Sequence, residues 1–134
     1  MSEAVVDTSA VIAFLRGDER VEAVIAATER LVVPVAVVAE LLAGCLGADR
    51  RAANTLRRVQ AFLNSTRVTT TPATSDTAER WAIIWDALKR AGRPIPANDV
   101  WIAASAMEYG LPIITRDRHF LGIPQVMVTL LDDE

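Results

Sequence analysis

Apolar positions along the chain follow two rhythms. Short β-rich runs bounded by polar or turn residues at 4–6, 31–34, 67–71, 112–115 and 125–129 read as strands. Between them, apolar residues recur at helical spacing over 8–15, 19–28, 35–46, 50–64, 75–91 and 98–109. In the second of these helices Val21, Val24, Ile25 and Thr28 share a face. In the fourth, capped by Asp49, Ala52, Leu56, Val59 and Leu63 turn inward, and Arg50, Arg51, Arg57 and Arg58 turn outward. The last helix has two apolar faces, Val100-Ala103-Ala104-Met107 and Ile102-Ala106-Tyr109, and so is buried on most sides. Asn98 or Asp99 is its expected cap, Gly110 its terminator, and Pro112 prevents resumption. Thr8 or Ser9 is the expected cap of the first helix, and Thr74 or Ser75 opens the fifth. Strands alternating with helices predict an α/β fold with a mostly parallel sheet. No repeat, low-complexity stretch or linker interrupts the pattern, so one domain is expected over residues 1–134.

Composition adjusts this picture in three places. Hydrophobic residues make up 51% of the chain, which excludes disorder, and the formal net charge of −3 gives no global basic field for nucleic acid. Of fourteen basic residues all but Lys89 are Arg, the side chain better suited to bidentate phosphate contacts. Cys45 is the only cysteine, which excludes an intrachain disulfide and a cysteine-based zinc site. With no signal-peptide pattern at the N-terminus, the expected location is cytoplasmic. One run approaches the length of a membrane span, since Glu40 is the only charge between Arg30 and Asp49. Pro34, Gly44, Gly47 and Glu40 itself argue instead for a buried strand followed by a buried helix.

Glu40 is then the anomaly. A carboxylate among apolar side chains costs several kcal/mol unless it is paired or bound to a cation, and no base lies near it in sequence. Asp7 follows the first strand and Asp117 the fourth, and parallel strands bring those ends to one edge. Asp99 stands at the start of the helix that leads into the fourth strand. Each acid has a plainer reading: Asp7 and Asp99 as caps, Asp117 as a turn residue, Glu40 as a surface residue. Together they are better explained by one acidic pocket balanced by a hard divalent cation. Without that cation the four repel, and at least one should have a raised pKa. His119 reads as a turn residue, Cys45 as a small buried hydrophobe, and Trp81 and Trp85 as core or dimer contacts.

The ordered set Val6-Asp7-Thr8-Ser9, Glu40, Asn98 to Ala104, and Thr115 to Phe120 resembles the PIN-domain ribonucleases. Within them it is most similar to the small toxins of VapBC toxin–antitoxin pairs. The resemblance implies a three-layer α/β/α fold and a Mg²⁺- or Mn²⁺-dependent endoribonuclease. It also implies a homodimer and a cognate VapB-type antitoxin. By motif, Asp7, Glu40, Asp99 and Asp117 fall on the family's acidic quartet and Thr115 on its accompanying Ser/Thr. Many relatives carry a further acid two residues after the Asp117 position, where this chain has His119. The chemistry that fits is metal-assisted phosphodiester hydrolysis, with Asp7 and Asp117 the expected direct metal ligands. Glu40 and Asp99 bind directly, act through water, or orient the attacking water. Ser9, Asn98 and Thr115 support a carboxylate or phosphate, and Arg116 is a candidate to hold the RNA backbone. The restraining antitoxin is expected to insert an Arg into the quartet and to pack near Val11, Phe14, Leu15 and Leu42.

Two other classes place acids similarly. A haloacid-dehalogenase-like phosphatase needs a second Asp two residues after the first, and Ser9 stands there. A phospho-receiver needs paired acids near the first strand and a Lys after the last, and the only Lys is Lys89. A non-catalytic module would use the acidic pocket to dock a partner's arginine.

Overall fold

The structure, a computed structural model, describes residues 2–132. Its first half runs β1 (Glu3–Val6), α1 (Thr8–Leu15), α2 (Glu19–Ala26), β2 (Arg30–Pro34), α3 (Val35–Ala43) and α4 (Arg50–Leu63). The second half runs β3 (Val68–Thr71), α5 (Ser75–Arg90), α6 (Ala97–Tyr109), β4 (Ile113–Thr115) and β5 (Val128–Leu130). A turn of 3-10 helix, Arg118–Gly122, lies between β4 and β5. All the strands pair in parallel, in the order β3-β2-β1-β4-β5, at the centre of a three-layer α/β/α fold.

That order positions the site. The chain moves outward from β1 to β2 and β3, then returns to lay β4 against the other side of β1. The reversal leaves a crevice at the carboxyl ends of β1 and β4, the usual ligand position in an open parallel sheet. Val5 pairs with Ile113 and Val6 with Ile114, so Asp7 and the segment after Thr115 leave the sheet side by side.

The core is built from small and branched side chains. Val5, Val6, Val33, Val100, Ala103, Ala104 and Ile113 are fully buried. α6 is enclosed along most of its length, as its two apolar faces predict, and its alanines let neighbouring backbones approach closely. Phe62 of α4 meets Phe14 of α1, with ring centroids 5.7 Å apart, and so fixes α4 to the first helix. No helix among the described residues is long and apolar enough to cross a membrane. The apolar run from Leu31 resolves into β2 and α3, as expected from its proline and glycines.

Several local expectations are corrected. Asp7, rather than Thr8 or Ser9, caps α1, accepting from the Ala10 amide. α6 begins at Ala97 directly after Pro96, so Asn98 and Asp99 lie inside its first turn. Proline needs no hydrogen-bond partner for its nitrogen and is well suited to a helix entrance. α3 stops at Ala43, and Leu46 is 86% exposed. Tyr109 lies at the solvent end of α6 and is exposed. The last strand starts three residues later than its apolar pattern suggests, because turns hydrogen-bonded from Ile123 to Phe120 and from Val126 to Ile123 occupy the preceding segment. Near the C-terminus Asp132 is anchored: its carbonyl accepts from Arg20 at 2.8 Å and its carboxylate pairs with Arg118 at 2.5 Å. Asp133 and Glu134 lie outside the described residues.

Candidate metal-binding site

Asp7 is the centre of the crevice. The end of β1 delivers it into the protein, where it is 3% exposed. Its Oδ1 accepts from the Ala10 amide at 2.9 Å and from Ser9 Oγ at 2.8 Å. Its Oδ2 accepts from Thr115 Oγ1 at 2.5 Å. Thr115, the last residue of β4, in turn accepts from the Asp117 amide at 2.8 Å, and Ser9 Oγ accepts from the Arg116 amide at 3.0 Å. Two hydroxyls therefore link the ends of β1 and β4 and set the path of the loop that carries Asp117.

Asp117 caps the 3-10 turn, its Oδ1 accepting from the His119 amide at 2.9 Å. The turn bends His119 back, so that its Nδ1 lies 3.2 Å from Asp117 Oδ1 and 3.6 Å from Asp99 Oδ2. Asp99, Asp117 and His119 each offer a ligand atom within 4.8 Å of the others. His119 is thus part of the cluster and not merely a turn residue. Its spacing from Asp117 was visible in sequence, but the return of the ring depends on the 3-10 geometry.

Glu40 reaches the same place from α3. It is exposed, contrary to the buried acid expected from its apolar surroundings. The apolar residues of α3 are divided between its two sides: Val37 and Leu41 are buried, whereas Ala39 and Glu40 face solvent. Glu40 Oε1 accepts from Thr8 Oγ1 at 2.5 Å, which holds the carboxylate at the rim of the crevice. Its field reaches Asp99.

The electrostatics show what this arrangement costs. Asp99 is pushed up to about 6 from 3.8, first by burial, then by the charges of Asp117 and Glu40, with His119 pulling the other way. Asp7 is also raised, chiefly by burial, against the lowering effect of the hydroxyls and the Ala10 amide. The expected raised pKa is therefore found at two of the four acids. Clustered carboxylates with one imidazole make a donor set suited to a small divalent cation, which would relieve the repulsion.

Two supporting candidates point elsewhere. Asn98 Nδ2 donates to the Ala36 carbonyl at 3.3 Å, so it ties the start of α6 to the start of α3 and touches no carboxylate. Arg116 Nε donates to the Leu131 carbonyl at 3.1 Å, and its guanidinium lies 3.9 Å from Asp18. It braces the tail against the Asp117 loop and is not directed into the crevice. Of the apolar candidates for a docked tail, Val11 is fully buried and drops out, whereas Phe14, Leu15 and Leu42 keep exposed surface.

Comparison with known proteins gives a consistent result. The PIN domain family model matches residues 4–125. Ribonuclease VapC5 of Mycobacterium tuberculosis (strain ATCC 25618 / H37Rv) is 36% identical over 122 residues, 89% of this chain and 86% of that protein. The crystal structure of VapBC-5 from Mycobacterium tuberculosis, a member of the VapBC family of toxin–antitoxin systems, superposes with a TM-score of 0.78 at 30% identity, covering 98% of this chain and 100% of that one. VapBC2 from Rickettsia felis, bound to a DNA fragment of its promoter, shares the fold with a TM-score of 0.86 at 16% identity, covering 97% and 99%.

The raised acids give a pH signature. Asp99 binds its proton more tightly in the fold than in the unfolded chain, so its contribution is favourable below about pH 4. That contribution is lost as pH rises through about 6, and Asp7 acts in the same direction. In metal-free buffer the melting temperature should therefore fall by several degrees between pH 4 and 7, and a divalent cation should reverse the fall at pH 7. A melting temperature that rises over this range in chelator would show that the cluster is not under electrostatic strain.

Proposed function

The chain belongs to the PIN-domain family, and from that premise we propose that it is a VapC-type toxin, a metal-dependent endoribonuclease held in check by a cognate VapB-type antitoxin. The observation that carries the reading is the convergence of Asp7, Glu40, Asp99 and Asp117 at the carboxyl ends of β1 and β4. PIN ribonucleases generally depend on a divalent metal, and the carboxylate-rich donor set favours Mg²⁺ or Mn²⁺. The phosphatase and receiver readings lose their motifs at Ser9 and Lys89, and a purely docking role leaves the strained cluster without a purpose.

When bound, the cation would activate water and offset charge on the phosphate. The protein's own groups perform the rest. Ser9, Thr115 and the Ala10 amide hold the Asp7 carboxylate in one orientation, so a ligand need not wait for it to order. Asp117 and Asp99 face the same point from the loop and from α6, and with Asp7 they would hold the cation. Glu40, exposed at the rim and held by its Thr8 bond, is placed to orient a water or accept its proton. Asp99, raised to about 6 without a cation, would give up its proton as a cation binds beside it, so binding near that pH should release a proton.

The homodimer is part of the same reading. Trp81 and Trp85 stack on α5 with centroids 4.9 Å apart, and Trp101 lies 5.7 Å from Trp81. Beside them Ile83 and Trp85 are exposed, as is Val35 at the start of α3. Apolar surface of this kind is commonly buried against a second copy.

Asp7→Asn should abolish cleavage of RNA in Mg²⁺ while leaving the metal-free melting temperature unchanged or higher, because the amide removes a buried charge and can still cap α1. A marked loss of metal-free stability would reduce Asp7 to a structural cap. For the antitoxin, an Arg entering the cluster would compete with the cation, since guanidinium pairs strongly with carboxylates. Raising Mg²⁺ or Mn²⁺ should then restore cleavage by the purified complex, and changing that Arg to Ala should do the same; failure of both would move the point of restraint away from the carboxylates. Light scattering at micromolar concentration should report a dimer, and a monomer would reject the α5 interface.

A further inference from the structure

Among the described α-helices, α4 is the one whose charges are all positive. Its sequence from Arg50 to Leu63 contains Arg50, Arg51, Arg57 and Arg58 and no acid. All four are exposed. An acid three or four residues away would stabilise such exposed helical arginines. Here, among the described residues, no carboxylate lies within ion-pair distance of any of them. Such a face repels itself and gains nothing from the fold, which directs attention to what lies opposite it.

A trough of about 950 Å³ runs along it. Arg50, Arg51 and Arg58 line it from α4, with Asn54 and Thr55 between them, and Arg16 lines it from the end of α1. Arg51 and Arg58 are seven residues apart, two turns, so they share a face about 10 Å apart along the helix axis. Arg57 lies outside the trough and donates to Asn54. The opposite wall includes Glu40, the rim of the carboxylate cluster. Through Glu40 the trough adjoins the carboxylate cluster.

We infer that this trough is the track for the single-stranded RNA substrate, with Arg16, Arg51 and Arg58 holding backbone phosphates next to the cleaved one. The inference rests on the ribonuclease reading and deepens it. The physical need is clear: a polyanion must be held against four carboxylates on a chain of net charge −3. A cation at the cluster would offset the charge of the cleaved phosphate, whereas the neighbouring phosphates need a positive field of their own, and the α4 arginines and Arg16 supply one adjoining the site. Guanidinium groups reach phosphate oxygens bidentately, and Asn54 and Thr55 can hydrogen-bond the same backbone. Contacts of this type position a strand without reading its bases, so the track sets register and affinity while the bases are selected elsewhere. A docked antitoxin tail lying on Leu15, which also lines the trough, would cover the track.

The test is steady-state cleavage of a single-stranded oligoribonucleotide across a salt series. Wild type is compared with Arg51→Gln, Arg58→Gln, the double variant, and Arg57→Gln as the same-helix control. The double variant should raise KM by about tenfold or more with kcat little changed, and flatten the salt dependence of kcat/KM by about 1.4 in log–log slope, about 0.7 per lost phosphate contact. Arg51→Lys with Arg58→Lys should recover most of the slope, and Arg57→Gln should change little. Melting curves should match throughout, since all these side chains are exposed. If wild type cleaves and the double variant keeps its KM and slope, the track is wrong and the ribonuclease reading stands. If the double variant cleaves normally but no longer binds its antitoxin, the trough is a protein-docking groove and the inference is overturned. If wild type fails to cleave in any divalent cation, the ribonuclease reading falls, and fluorescence anisotropy of the same oligonucleotide then decides the track by the same comparison of slopes.

Discussion

One buried carboxylate sets the terms for the rest of the site. Asp7 lies at the end of the central strand, almost without exposure, and its oxygens accept from Ser9, Thr115 and the Ala10 amide. Those bonds compensate part of the desolvation cost and also define the architecture around it. The Ala10 amide starts α1, and Thr115 ends β4. Through its second contact Thr115 determines where the Asp117 amide lies. Shifting β1 against β4 by one residue would break this chain of bonds and send Asp7 to the other face. The order of the strands is therefore a condition for the site and not only a scaffold beneath it.

The compensation is incomplete, and that has a functional use. Burial and like charge leave Asp7 and Asp99 with raised pKa values, so the folded apo protein carries electrostatic strain at neutral pH. The apolar core directly below, with Val5, Val6, Val100 and Ala103 fully buried, provides the stability against which that strain is tolerated. A cation binding to such a cluster gains the Coulomb energy of several carboxylates whose positions are already set. The same strain makes the site receptive to any positively charged group that can reach it, including a guanidinium. Activity and restraint can then share one electrostatic origin.

Much of this was legible in the chain. Short β-rich runs and helical spacing located the five strands and six α-helices of the described residues, and the strand-end positions of Asp7 and Asp117 bring the two acids to one edge. Asp49 and Thr74 were readable as caps because their hydrogen bonds are local. What failed was what depended on direction in three dimensions. Glu40 was recognised for the wrong reason: its neighbours in sequence are apolar, but the side of α3 that it occupies is not covered. Asn98 and Arg116 have suitable chemistry beside the cluster, yet they bind the carbonyls of Ala36 and Leu131. His119 was discounted because ligand histidines are commonly paired, and the 3-10 turn that returns its ring to Asp117 and Asp99 has no sequence period to reveal it. The arginines of α4 were placed outward correctly, but that Arg50, Arg51 and Arg58 face a trough also lined by Glu40 follows only from how α1, α3 and α4 are assembled.

Charge in this protein is therefore organised by sign and by place, which the net value of −3 conceals. The acids converge at one end of the sheet, where a cation can unite them. A helix of unpaired arginines borders that point and faces an open trough. Salt acts on the two regions differently. Screening weakens the field of the exposed arginine face readily, because those charges are solvated and surrounded by counterions. The carboxylate cluster is partly buried and is screened much less. Affinity for a polyanion and affinity for a divalent cation should thus respond to ionic strength by different amounts, so the two regions can be separated experimentally although they adjoin at Glu40.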